Sequence, residues 1–166
     1  QIAAVDCALR IAMLCGGTMA EGWACYATDL MVEHGYGTPL EELAEHQGLA
    51  RMSARAIVDA ALHSGRFTFD EAVAFYRDTI GMPEAASRAE VVKNSMFPGA
   101  AMMYLIGTDM IHALRAEMRD RWRADFSLRR FHDAFLSHGS IPVALIAKRM
   151  RGEPITVEGY VSPRLG

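Results

Sequence analysis

Aromatic side chains are few in this sequence, at 8% of residues, whereas methionine occurs 11 times. That balance suits adaptable packing between helices better than strand pairing. Blocks of basic charge are missing as well. The 17 lysines and arginines are outnumbered by 20 acidic residues, for a formal charge of -3. A nucleic-acid role would need an electrostatic footprint that this composition does not supply. The richest basic run, Arg115, Arg119, Arg121 and Arg123 with Arg129 and Arg130 after it, is broken by Glu117, Asp120 and Asp125 and reads as a solvated helix face.

Cysteine is limited to Cys7, Cys15 and Cys25, without CxxC or Cys/His spacing. In an apolar stretch these read as reduced, buried thiols, and they lean toward a cytoplasmic location. No uninterrupted apolar run reaches the roughly 18 residues that span a bilayer, and nothing at this end resembles a signal peptide. Internal repeats and low-complexity tracts are absent. The chain starts at Gln1 instead of Met, directly in helical sequence, as expected of a cut or processed product or of an internal segment.

What is present is enough for one domain. The chain has 166 residues, of which 51% are apolar, so a substantial core is expected. The expected fold class is all-α, an irregular multi-helix array over residues 1–150, with an extended tail over 151–166. Ile2, Val5, Leu9, Ala12 and Met13 recur at helical intervals within 1–34. Gly16 and Gly17 predict a kink or break that leaves Met19 to Glu33 on a second helical piece. Thr38, Pro39 and Glu41 form a helix start, and Thr68 with Glu71 repeats the capping box. A third box is expected at Ser87 and Glu90, a break near Gly48, and a helix end before Pro98. Ala100 to Arg119 is periodic despite Gly107. Asp125 or Ser127 caps a helix that stops at Gly139, and Ser140 and Pro142 open a last helix through Lys148. Ile155-Thr156-Val157 hints at a strand in the tail.

The densest chemical signal is Glu21-Gly22-Trp23-Ala24-Cys25-Tyr26, within an otherwise apolar helix. A carboxylate there is costly unless an arginine, a backbone donor or a metal compensates it. A structural carboxylate and a metal ligand are both open readings, although one acid alone makes no zinc site. Arg55, Asp59 and His63 stand four residues apart and form one polar stripe. They read either as an i,i+4 ion pair with a histidine on free helix-end carbonyls, or as a cleft-facing group. Tyr104 follows the Pro98-Gly99 break, and its phenol either reaches solvent from the core edge or faces a site. His132-Asp133 is not a dyad, because adjacent helix residues point about 100° apart; an anchoring role for the late helix is expected. His34, His46, His112 and His138 read as caps or surface groups, and Trp23 and Trp122 as packing residues.

The run Met19-Ala20-Glu21-Gly22-Trp23-Ala24-Cys25-Tyr26, with Leu30, Glu33 and Gly35, resembles the EGWA-Y motif of the DUF885 family, bacterial proteins similar to gluzincin-type zinc metallopeptidases. The likeness continues through Arg55-Ala56-Ile57-Val58-Asp59-Ala60-Ala61-Leu62-His63, Phe69-Asp70-Glu71-Ala72 and Pro98-Gly99-Ala100-Ala101 with Tyr104 and Gly107. It ends at Phe126 to Asp133, Leu136, Gly139 and Pro142. The resemblance implies a C-terminal part of a zincin-like helical peptidase, in which Glu21 is the third zinc ligand. His63 and Tyr104 would then stabilise an oxyanion, with Arg55 and Asp59 orienting their neighbours.

In that family an HExxPGHH helix precedes EGWA and carries two metal-binding histidines and a general base. No His-Glu-x-x-His occurs between Gln1 and Gly166. The resemblance therefore implies a Zn2+ site completed by an upstream segment or second chain, acting on a peptide or small amide. Lys93-Asn94 stands where relatives show Arg-Tyr, and Ala100 where they show Gln. Two other readings remain: a non-catalytic helical binding or assembly protein, and an enzyme acting on a non-peptide metabolite.

Overall fold

A computed structural model describes residues 16–155. The first helical run, the Gln1 to Met13 pattern, with Cys7 and Cys15, and the tail beyond Ile155, with most of the hinted strand, lie outside the described residues. Every regular element among the described residues is helical: α1 (Gly17–Glu33), α2 (Pro39–His63), α3 (Phe69–Ile80), α4 (Glu84–Met96), α5 (Met102–Trp122), α6 (Leu128–Leu136) and α7 (Val143–Arg151), with a 3-10 turn at Arg123–Asp125. The all-α expectation holds.

Two helix starts follow directly from local chemistry. At both Thr38 and Thr68 the threonine hydroxyl oxygen accepts from the backbone N–H three residues on, and the glutamate there returns a bond to the threonine amide. Ser127, not Asp125, caps α6 by accepting from the Arg130 amide. Gly81 closes α3 at φ 74°, a conformation that costs a Cβ-bearing residue energy and glycine almost none.

Three boundaries differ from the sequence expectation. Helix α2 runs unbroken through Gly48, because a single glycine costs only about 1 kcal/mol and strong helix formers flank it. The Ser87 box does not form. Pro83 starts α4 one turn earlier, and Ser87 lies buried inside the helix with its hydroxyl donating to the Pro83 and Met82 carbonyls. Finally, α7 continues past Lys148 to Arg151 before left-handed Gly152 ends it.

The helices build two cores. One gathers Met19, Tyr26, Ile111, Leu114, Met118, Phe131, Phe135, Val143 and Ile146 from α1, α5, α6 and α7. The other gathers Ala54, Val58, Ala72, Val73, Tyr76 and Val91 from α2, α3 and α4. Helix α5 packs along α1 from Met103 to Arg115 and meets α2 at its first turn, where Tyr104 lies by Arg55. The two cores thus meet at a seam between α2 and the first turns of α1 and α5.

Buried Tyr26 ties the first core together. Its hydroxyl lies 2.9 Å from His132 Nε2 and accepts from Arg115, whose guanidinium forms a two-pronged ion pair with Glu33. His132 therefore does anchor the late helix. Arg115 departs from the expected solvated face, because its position on α5 turns it toward the phenol and carboxylate of α1. Trp23 stacks on Phe135, and Trp122 lies under the Arg130 guanidinium, so both tryptophans are packing residues.

Candidate functional site

The polar residues singled out from the sequence collect at the seam between the two cores. Glu21 comes from the first turns of α1 and Tyr104 from the first turn of α5; both are half-buried. Burial raises the Tyr104 phenol above its ordinary range, and the charge of Glu21 with a hydrogen bond to its carboxylate raises it further, while Arg55 opposes them. The phenol therefore stays protonated at neutral pH. The Arg55 guanidinium, from α2, sits 5.5 Å from the Tyr104 ring centre.

Arg55 does not pair with Asp59. Its Nε lies 3.2 Å from Glu90 Oε2 on α4, close enough for an ion pair. The angles are too poor for a hydrogen bond, so both buried atoms keep unspent bonding capacity. Asp59, 1% exposed, spends its carboxylate on backbone: Oδ1 accepts from the Gly99 amide at 2.9 Å and Oδ2 from the Ala101 amide at 3.0 Å. It fixes the turn that launches α5 and with it Tyr104. His63 Nε2 faces two acceptors, Asp59 Oδ1 at 3.5 Å and the Asn94 carbonyl at 3.1 Å, which places a proton on that nitrogen.

Of the sequence candidates, Glu21, Tyr104 and Arg55 are brought into one contiguous cluster. Asp59 and His63 continue the α2 stripe away from it, committed to the 98–101 turn and to α4. Two members of the network were not legible as site residues. Glu90 reads as a cap in the sequence, and Asn94 only as a departure from the family pattern. Asn94 is buried, and its amide donates to the Arg55 carbonyl and to Tyr76, whose phenol burial pushes up to about 12. A signal was available: Ser87, Val91 and Asn94 recur at intervals of four and three on the buried face of α4, so two polar residues occupy core positions.

The described residues include no group of three His, Cys, Asp or Glu side chains able to hold a metal ion. Among the described residues Glu21 is one anionic donor without companion ligands, short of the three a zinc site requires. No described helix is long and apolar enough to cross a membrane.

Residues 4–150 match the family model described as "Bacterial protein of unknown function (DUF885)". The chain belongs to the DUF885 family. Two solved structures resemble this DUF885 chain at a TM-score of 0.76. One is "the putative lipoprotein from Colwellia psychrerythraea", 29% identical over 82% of the present chain and 24% of its own. The other is "a putative lipoprotein of unknown function from Shewanella oneidensis", 30% identical over 84% of the present chain and 26% of its own. The chain thus spans about a quarter of the length of these relatives. No curated protein matches it by sequence. The five site candidates all fall inside the span that matches the family.

Proposed function

We propose that this DUF885 chain forms one wall of a hydrolytic site that is completed by residues outside those described. The observation that carries the reading is the clustering of Glu21, Tyr104 and Arg55 where the two cores meet, with the Tyr104 phenol held protonated. A half-buried carboxylate with a phenol donor beside it suits a site where a carbonyl gains negative charge, since the phenol can donate to the developing oxyanion. Arg55, flanking the Tyr104 ring, adds positive potential without taking its proton. Asp59 positions the phenol by clamping the turn that precedes it. Zinc, when bound, would polarise a substrate carbonyl and activate water; this chain would contribute Glu21 as one ligand, and the remaining ligands would have to come from elsewhere. The substrate class is a peptide or small amide. Because both structural relatives carry the name lipoprotein, an extracytoplasmic setting is favoured over the cytoplasmic one suggested by cysteine usage.

The experiment is Glu21→Gln in the full-length protein, read by zinc content and peptide hydrolysis. Both should fall at least about tenfold, the loss expected when a ligand's charge is removed. Unchanged values would sink the reading. A second reading is favoured by the lack of a three-ligand group among the described residues: a helical binding or assembly part of a larger protein without catalysis. Full-length protein that neither retains zinc nor hydrolyses amides would support it, whereas near-stoichiometric zinc with chelator-sensitive turnover would exclude it.

A further inference from the structure

One helical turn beyond Glu21 along α1, a groove of about 470 Å³ opens between α1, the first half of α2 and α5. It lies beside the Glu21–Tyr104 cluster: Cys25, one turn after Glu21, and Leu105, next to Tyr104 in sequence, both line it. Its apolar lining includes Val32, Leu49, Met52 and Leu105. Asp29, Glu42, Glu45 and Asp109 also line it, and among the described residues no lysine or arginine does.

Among the described residues, only one of these four carboxylates meets a cationic partner. Asp29 holds His112 Nε2 at 2.8 Å. Glu42, Glu45 and Asp109 pair with no cation among the described residues. His46 is occupied otherwise, with Nδ1 on the Glu42 carbonyl at 2.7 Å. The excess negative field is felt inside the groove. Burial raises the Cys25 thiol, Thr108 opposes it, and Asp29, Glu21 and Glu45 all push it further up. On the same wall, Leu40 and Leu43 of the first half of α2 are exposed.

We infer that this groove is the specificity pocket of the proposed site and receives a lysine or arginine side chain of a peptide. The inference rests on the hydrolytic reading for its substrate class. The match is of shape and charge together: such a side chain has an apolar stem for Val32, Met52 and Leu105 and a cationic head for the unpaired carboxylates. A purely apolar side chain would leave three like charges unrelieved, and an acidic one would add a fourth. Position supports the same ligand, since a residue whose carbonyl lies against Tyr104 can extend its side chain one helical turn away.

The test uses the full-length protein and three fluorescein-labelled hexapeptides, identical except for a central lysine, norleucine or glutamate, with binding read by anisotropy. The lysine peptide should bind about tenfold more tightly than the norleucine peptide at low salt, and the preference should shrink toward 0.5 M salt. Glu42→Gln combined with Glu45→Gln should reduce the preference below about threefold while leaving norleucine-peptide affinity unchanged. No binding by any peptide, no lysine preference, or a preference that survives the double substitution overturns the inference; the last would place the preference elsewhere in the protein. A lysine preference without zinc or hydrolysis would retain the pocket and discard the hydrolytic reading alone.

Discussion

Gly22 on α1 and Gly107 on α5 lie against each other so closely that a Cβ added at Gly107 would sit 2.8 Å from the Gly22 Cα. A Cβ at Gly22 would lie 2.5 Å from the Gly107 Cα. Both distances are shorter than real Cβ contacts allow, so the two helices touch backbone to backbone. This contact sets the separation at which Glu21, the residue before Gly22, meets Tyr104, one turn before Gly107. The Thr108 hydroxyl, between the helices, donates to the Tyr104 carbonyl at 2.8 Å.

Gly22→Ala and Gly107→Ala should therefore each destabilise the protein by about 2 kcal/mol or more, since no flexible side chain can yield and the backbone must move. The double substitution should cost less than the sum, because one separation of α1 from α5 relieves both clashes. Urea unfolding of the four proteins checks this, and full additivity would mean that the glycines do not share a contact.

The Tyr26–His132 bond should make stability depend on pH. Burial, aided by the Arg115 charge and only partly opposed by Asp133, holds the His132 imidazole below its ordinary value. A depressed histidine is neutral in the folded protein and binds a proton more readily when unfolded. Its contribution is present above the unfolded pKa, near 6.5, and is lost as pH falls below that value through the folded one. His132→Gln, which keeps an acceptor for the Tyr26 hydroxyl, should flatten the stability profile between about pH 7 and 5 and cost roughly 1 kcal/mol at pH 7.5. A variant profile parallel to that of the wild type would remove His132 as the titrating group.

Asp59→Asn should loosen the turn that precedes α5. An amide offers one acceptor oxygen where the carboxylate uses two, and its NH2 opposes either the Gly99 or the Ala101 amide. The expected loss is about 1.5–3 kcal/mol, the range for hydrogen bonds to a charged group. Amide exchange localises the effect: Gly99 and Ala101 should lose protection first, while α6 and α7 keep theirs.

The two capping boxes should respond differently to Thr→Ala. Each cap is worth about 1 kcal/mol, but α3 lies in the second core whereas the first turns of α2 are exposed. Thr68→Ala should lower global stability by that amount. Thr38→Ala should mainly fray the start of α2, seen as faster amide exchange from Leu43 to Gln47 with an unchanged unfolding midpoint. Equal midpoint shifts would show that the first half of α2 is packed after all.

Local chemistry alone decided the helical class, the starts of α2 and α3 and the cap on α6, because each depends on side chains within one turn of the backbone groups they satisfy. The order of motifs placed the chain in its family for the same reason: the residues of Glu21-Gly22-Trp23-Ala24-Cys25-Tyr26 are read directly. At Gly48 and Ser87 a flanking run of helix formers and a preceding proline outweigh the local signal. Tertiary structure alone decided that Arg55 turns to Glu90 and Tyr104, that Asp59 grips amides 40 and 42 residues away, and that Asn94 is a buried link. Those choices depend on which helix faces meet at the seam, and periodicity reports the face a residue occupies but not the neighbour it will find there.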